Sequence, residues 1–449
     1  MLTEAQLQDF ISYLRFPSIS ADPARAPSMQ ACAEWLHGKF TRMGFTSRLV
    51  PIPGPPVVIA RRAVSSAKKT VLIYGHYDVQ PVDPLPLWRH PPFEPFLENG
   101  LVYARGATDN KGQTMAHILG AEAAWGRGEP PVNLIFLLEG EEEIGSPHFG
   151  AFLEAHREEL ACDTVIVSDT SMIAPDFPAI TCGLRGIACL EVKVTGPSVD
   201  LHSGVFGGAV ANPATELARL LARLHDRDGR VAVPGFYEAV APVSPVELAS
   251  WRTLPSYDAE LLASTGSPAA AGESGYSARE RVWSRPTAEI NGLSSGYQGP
   301  GSKTIVPREA VAKLSFRLVS NQKPREIADQ VAAFLSSCAP AAVKVEVTYD
   351  HGGDPYLAAP DGPGISAARE ALREIFGREP ALVREGLSIP TVSLFKRILG
   401  RDTLLIGLGL PDCAAHSPNE SFPLRNLEQG IALHRTLLNR LAQIRGQYS

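Results

Sequence analysis

Each strongly apolar run near the two ends of this chain stops at a residue type able to hold a metal ion. Thr70–Gly75 (TVLIYG) runs into His76-Tyr-Asp78, and Asn133–Leu138 (NLIFLL) into Glu141-Glu142-Glu143. Thr164–Val167 (TVIV) runs into Asp169, and Thr403–Ile406 (TLLI) leads through a short loop to His416. Short runs that are apolar throughout, without alternation, mark strands buried on both faces. Helical patterns lie between them, at 28–43 (stopped by Gly44), at 112–125 and in a closing helix from about 426 to 444. The expected fold is therefore α/β, a mainly parallel sheet covered by helices. In such sheets ligands bind beyond the carboxyl ends of the strands, so the four junctions are expected to share one crevice. Asp109, in the loop Arg105–Gly112 before a helix, reaches the same edge.

Between about Thr181 and Tyr356 the pattern changes. Leu190–Val194 (LEVKV), Ala312–Leu318 (AKLSFRL) and Val343–Val347 (VKVEV) alternate apolar and polar residues, as half-buried antiparallel strands do. Helical stretches at 212–225 and 324–336 lie among them, and 232–300, rich in Pro, Gly and Ser, reads as an irregular insertion. At 449 residues the chain exceeds what one core usually holds. The expected division is a discontinuous outer domain, 1–181 with 357–449, and an inserted α+β domain, 182–356.

Lys plus Arg number 42 against 48 Asp plus Glu, a formal charge of −6. Nucleic acid and membrane are not expected partners, because anionic surfaces recruit clustered positive charge. No stretch approaches the length of apolar chain that spans a bilayer, and the polar N-terminus does not read as a signal peptide. The six cysteines, Cys32, Cys162, Cys182, Cys189, Cys338 and Cys413, show no CxxC pairing. Free thiols and a cytoplasmic location are the expectation.

Two histidines and at least three carboxylates gathered at one sheet edge repel unless cations lie among them. The set, more than any member, points to a metal centre. Asp78 follows His76 by two residues, so on an extended strand both face the same side, and its carboxylate can hold the imidazole in one tautomer.

In these motifs the chain resembles the M20 family of metallopeptidases, in its carnosinase-like dipeptidase branch. The matching segments are GHYDVQPVDP, GATDNKG, EGEEEIGS, VSDTS and AHSPNE, in the family's order and spread over most of the chain. The resemblance implies two divalent cations per subunit, zinc first with manganese or cobalt as alternatives, about 3.5 Å apart. One is expected on His76, Asp109 and Asp169, the other on Asp109, Glu143 and His416, with Asp109 bridging. Glu142 is expected as the general base that deprotonates a water shared by the cations and then protonates the leaving amine. The peptide Asp109–Asn110 is expected to be cis. Asp200-Leu-His202-Ser-Gly resembles the motif whose histidine stabilises the oxyanion in the partner subunit's site, which implies a homodimer and a lid and dimerisation role for the inserted domain. Thr304 in GPGSKTIVP, Arg317 in SFRLVSNQ and Ser388 in REGLSIP match substrate-contacting positions. Arg317 has the fork geometry for a peptide's terminal carboxylate. Cys413 is read as packing.

The activity so implied is hydrolysis of dipeptides or very short peptides. An N-acyl amino acid deacylase or desuccinylase with the same core is the alternative. A binding protein that had lost catalysis would show damage at Glu142 or the ligands, and there is none. Gly292-Leu-Ser294-Ser-Gly296 fits a serine-hydrolase pattern, but Tyr297-Gln-Gly-Pro-Gly cannot begin the helix that such an elbow needs. In Gly299-Pro-Gly-Ser-Lys-Thr304 the phosphate-loop spacing fails, and HExxH is absent.

Overall fold

The structure is a computed structural model and describes residues 2–66, 68–125 and 129–444. Its larger sheet has nine strands. In order they are Thr46–Val50, Val57–Arg62, Asn133–Glu139, Thr70–His76, Thr164–Val167, Thr403–Leu405 and Ala179–Leu184, with Tyr356–Leu357 and Ala381–Glu385 both pairing with the last. The middle is parallel: Thr70–His76 runs alongside both Asn133–Glu139 and Thr164–Val167, which in turn runs alongside Thr403–Leu405. Every residue of Asn133–Glu139 and of Thr164–Val167 is buried. That is why these strands read as unbroken apolar runs. Helices Ala26–Arg42, Lys111–Trp125, Pro363–Phe376 and Leu424–Gln443 cover the sheet and share its core.

A four-stranded antiparallel sheet orders Thr287–Ser295, Glu309–Leu318, Gly186–Thr195 and Lys344–Gly353. Gly186–Thr195 and Glu309–Leu318 alternate buried and open positions along their length. Helices Pro213–Ala222 and Pro324–Cys338 cover the buried face, giving a second core around Leu217, Leu221, Val331 and Phe316. The chain leaves the larger sheet at Leu184 and regains it at Tyr356, beside the expected boundaries at 181/182 and 356/357.

Residues 232–300 differ from expectation. They hold helices Pro245–Trp251, Tyr257–Thr265 and Ala278–Ser284 and the edge strand Thr287–Ser295. Two of the helices open on capping boxes, Ser244 with Glu247 and Ser277 with Glu280, in which serine and glutamate satisfy each other's backbone amides. The strand was hidden because a bulge between Ile290 and Gly292 breaks its alternation and most of it is open. Ser294 lies on that strand, which runs into a turn and not a helix. No helix among the described residues is long and apolar enough to cross a membrane, and all six cysteines are free thiols.

Candidate metal centre

His76 is the last residue of the central parallel strand and is fully buried. Its Nδ1 faces Asp78, 3.1 Å from the carbonyl and 3.3 Å from Oδ1. The Asp78 carboxylate also accepts from the backbone amides of Glu142 and Glu143, at 3.3 and 3.0 Å. One buried carboxylate thus ties the histidine to the turn that follows the neighbouring strand. The opposite nitrogen, Nε2, looks toward Asp109 Oδ1 at 3.1 Å, Asp169 Oδ2 at 3.7 Å and Glu142 Oε2 at 4.0 Å.

Asp109 sits in a loop built around another buried carboxylate. Glu420 accepts from the amides of Gly106, Thr108 and Asp109, each at 2.9 Å, and pairs with Arg105 at the same distance. The Asp109–Asn110 peptide is cis, as expected. Asn110 donates through Nδ2 to Asp169 Oδ1 at 2.7 Å and accepts from Thr114. Across the cleft, His416 Nε2 lies 2.8 Å from Asp109 Oδ2 and 3.3 Å from Glu143 Oε2, and Gln80 donates to that same Glu143 oxygen. Two groups able to hold a metal ion result, the triads His76–Asp109–Asp169 and Asp109–Glu143–His416, each with its donor atoms within 4.8 Å of one another.

Charge makes the arrangement costly without cations. Burial pushes the carboxyls of Asp169, Glu142 and Glu143 up. Burial would raise Asp109 as well, but His416 and His76 beside it hold it well below the usual carboxylate range. Burial would lower His76, yet Asp109, Asp169 and Asp78 hold it well above an ordinary imidazole. Hydrogen bonds to Asp109 and Glu143 push His416 up to about 10. Two buried atoms of the cluster, His76 Nε2 and Glu143 Oε1, have no hydrogen-bond partner; the 3.1 Å approach of His76 Nε2 to Asp109 lacks hydrogen-bond geometry. Carboxylate and imidazole donors gathered this closely, mostly withdrawn from solvent except His416 and incompletely bonded, fit divalent cations of the zinc, manganese and cobalt kind.

The cavity over the cluster is lined by Asp109, Glu142, Glu143, Asp169 and His416, and further out by Glu385, Ser388 and Cys413. Cys413, expected as packing, is therefore part of the wall. Ser388 Oγ accepts from Arg317 Nη1 at 3.2 Å, so the small sheet touches the cavity rim. His202 and Thr304 are not brought here. His202 lies on a two-stranded ribbon, Leu201–His202 with Ile305–Val306, and Thr304 immediately precedes the second strand; His202 is exposed and its Nδ1 accepts from the Gly204 amide. Three neighbours of the cluster went unread in the sequence: Glu420, Asn110 and Glu385. Glu420 and Asn110 carried a faint signal, since each stands in a motif beside a ligand. Glu385, whose buried carboxyl is pushed up to about 7, is separated from every ligand in sequence.

The model of peptidase family M20/M25/M40 matches residues 72–440. The chain belongs to this family. As an M20 peptidase it is 32% identical over 446 residues to the Cys-Gly metallodipeptidase dug1 of Schizosaccharomyces pombe, covering 95% of this chain and 94% of that one. It is 33% identical over 399 residues to the Beta-Ala-His dipeptidase of Homo sapiens, covering 88% of this chain and 79% of that one. Among solved structures, an M20 family metallo-carboxypeptidase, Sso-CP2 of Sulfolobus solfataricus, superposes with a TM-score of 0.84 at 32% identity, covering 99% of this chain and all of the other.

Proposed function

We propose that this M20 peptidase is a dipeptidase that works with two divalent cations, zinc first and manganese or cobalt as alternatives. His76, Asp109 and Asp169 would hold one, and Asp109, Glu143 and His416 the other. The observation that carries the reading is the place of Asp109, one carboxylate common to both triads. Bound there, such a pair acidifies water and polarises an amide carbonyl.

The rest belongs to the chain's own side chains. Asp78 holds the His76 ring by Nδ1 and leaves Nε2 turned to the cleft. Glu142, beside the cluster and outside both triads, takes the proton of the attacking water and delivers it to the leaving amine. Glu385 is the wall carboxyl placed to meet a free α-ammonium, a group that N-acyl amino acids lack. Arg317 and Ser388 hold the substrate's far end, and Thr304, which lies beside the His202 loop, would reach it from a partner subunit. We also infer a homodimer in which His202 serves the partner's site as an oxyanion donor, with residues 182–356 as the lid and dimerisation domain. Three residues from His202 the chain leaves Val205 68% exposed, and the edge strand Thr287–Ser295 leaves Leu293 62% exposed. An open strand edge with apolar neighbours favours pairing with a second copy. Six free thiols favour a cytoplasmic setting.

The test is metal reconstitution followed by a panel of dipeptides, N-acyl amino acids and longer N-blocked peptides. Two equivalents of metal and a preference for dipeptides are expected. Full activity with one equivalent, or cleavage confined to N-acyl amino acids, overturns the reading.

A further inference from the structure

The metal cavity is walled mostly by polar and charged groups, yet one stretch of chain brings Leu387, Ile389 and Pro390 to it. Ile389 is buried, as a large apolar side chain of a wall ordinarily is. Leu387 is not, and 45% of it stays open to water. No other large apolar side chain among the described residues of this cavity is so open. A lone exposed leucine on an outer surface needs no explanation. One in the wall of a concave, metal-bearing site is different, because whatever fills the site covers it.

The exposure is not that of a slack loop. Gly386 O accepts from Arg185 Nε at 3.0 Å, Leu387 O accepts from the Arg185 amide at 3.2 Å, and Ser388 Oγ donates to the Arg185 carbonyl at 2.5 Å. Three consecutive residues are thus tied to one arginine. Gly386 is packed so closely that a Cβ there would lie 2.8 Å from Val282 Cγ1, on helix Ala278–Ser284. At Pro390 the helix Pro390–Leu394 begins. The backbone that carries Leu387 therefore cannot shift to bury it without breaking these bonds. Water against such a fixed apolar surface is released when an apolar group covers it, whereas a polar group must shed its own hydration to take that place. Along the chain, Leu387 stands between Glu385, placed for the substrate's α-ammonium, and Ser388, placed for its far end. A dipeptide carries its side chains between those two ends.

We propose that Leu387 selects the substrate's side chain: it is covered by an apolar one, and so favours dipeptides that carry such a side chain over dipeptides whose side chains are polar. This rests on the dipeptidase reading above and deepens it by naming the class of dipeptide.

The experiment compares valylglycine with threonylglycine, and glycylvaline with glycylthreonine, alongside N-acetylvaline. Valine and threonine have nearly the same shape and differ in polarity, so each pair reads apolar contact at constant size. The proteins are wild type, Leu387→Asn and Leu387→Met, each loaded with metal. Wild type is expected to favour valine over threonine in at least one pair by roughly 10-fold or more in kcat/KM, the scale on which an apolar pocket rejects an added hydroxyl. Leu387→Asn should abolish most of that preference, and Leu387→Met, which keeps the apolar surface, should retain it. A wild type without the preference in either pair, or a ratio that Leu387→Asn leaves unchanged, overturns the role of Leu387 while the dipeptidase reading stands. Equal loss on all four dipeptides does the same, since it makes Leu387 a contact for folding or domain closure. A wild type that hydrolyses N-acetylvaline and none of the dipeptides overturns the dipeptidase reading itself, and the proposal with it.

Discussion

At the scale of single residues, Glu142 and its neighbour Glu141 show how local packing assigns chemistry. Glu141 is buried with both carboxylate oxygens 3.0 Å from His148 Nδ1, and it presses so closely on Gly54 that a Cβ there could not be fitted. Its carboxylate is spent on structure. Glu142 faces the cluster instead, and Glu142→Gln is expected to keep both metals while kcat falls roughly 10² to 10⁴. Metal analysis beside steady-state kinetics checks this; a variant within about tenfold of wild type places the base elsewhere. Behind the cluster, His117 bonds Ser168 Oγ at 2.7 Å and His434 at 3.1 Å, and burial pushes it down to about 4. Above about pH 6.5 both folded and unfolded chains carry it neutral, so it adds no pH dependence there. As pH falls below that value the unfolded chain takes up the proton and the folded chain does not, so stability drops, on the order of 2 kcal/mol at pH 5. Urea unfolding at pH 7.5 and pH 5 should show His117→Gln losing less stability than wild type over that interval. Equal losses would mean that the folded protein accepts the proton.

Among the elements, the short helix Pro245–Trp251 does more than its length suggests. Glu247 and Arg384 form a fully buried two-pronged pair at 2.7 and 2.9 Å. Trp251 donates its indole N–H to Leu382 O at 3.0 Å, and Ser250 Oγ accepts from the Leu382 amide at 2.8 Å. The helix therefore pins strand Ala381–Glu385, whose end carries Glu385 and leads to Ser388. Glu247→Ala strands a buried guanidinium, and the expected loss in urea unfolding is about 3–5 kcal/mol. Glu247→Leu combined with Arg384→Met removes both charges and should restore most of that stability. If the double variant is as unstable as the single one, the helix is held by its apolar contacts and not by the pair. The capping boxes at Ser244 and Ser277 were legible signs of these helices. Their docking on a strand more than a hundred residues away was not.

For the whole molecule, the separation of His202 from the cavity of its own chain becomes a prediction about assembly. His202→Ala and Glu142→Gln are each expected to be nearly inactive. In a dimer whose histidine acts across the interface, a mixed dimer has one site with both defects and one with neither. Mixing the two variants under subunit exchange should then restore up to about a quarter of wild-type activity, because half the molecules are mixed and half their sites are intact. With exchange verified by mass spectrometry of the mixed species, no recovery means that His202 serves its own subunit or only its own loop.

The sequence by itself determined the α/β class, the parallel centre of the larger sheet and the positions that gather at its edge. A strand buried on both faces must be apolar throughout, and the residue where that run ends must lie at the carboxyl edge of the sheet. His76, Asp169 and the glutamate turn were readable for that reason. What tertiary structure alone decided is what holds those residues in place. Glu420 organises the Asp109 loop from 311 residues away, and Arg317 on the four-stranded sheet reaches Ser388, 71 residues on, only in the folded chain. Periodicity and motif spacing report local geometry, whereas a buried carboxylate bonding three amides, or an arginine of one sheet bonded to a serine beside another, is a property of surfaces that touch only once the chain has folded.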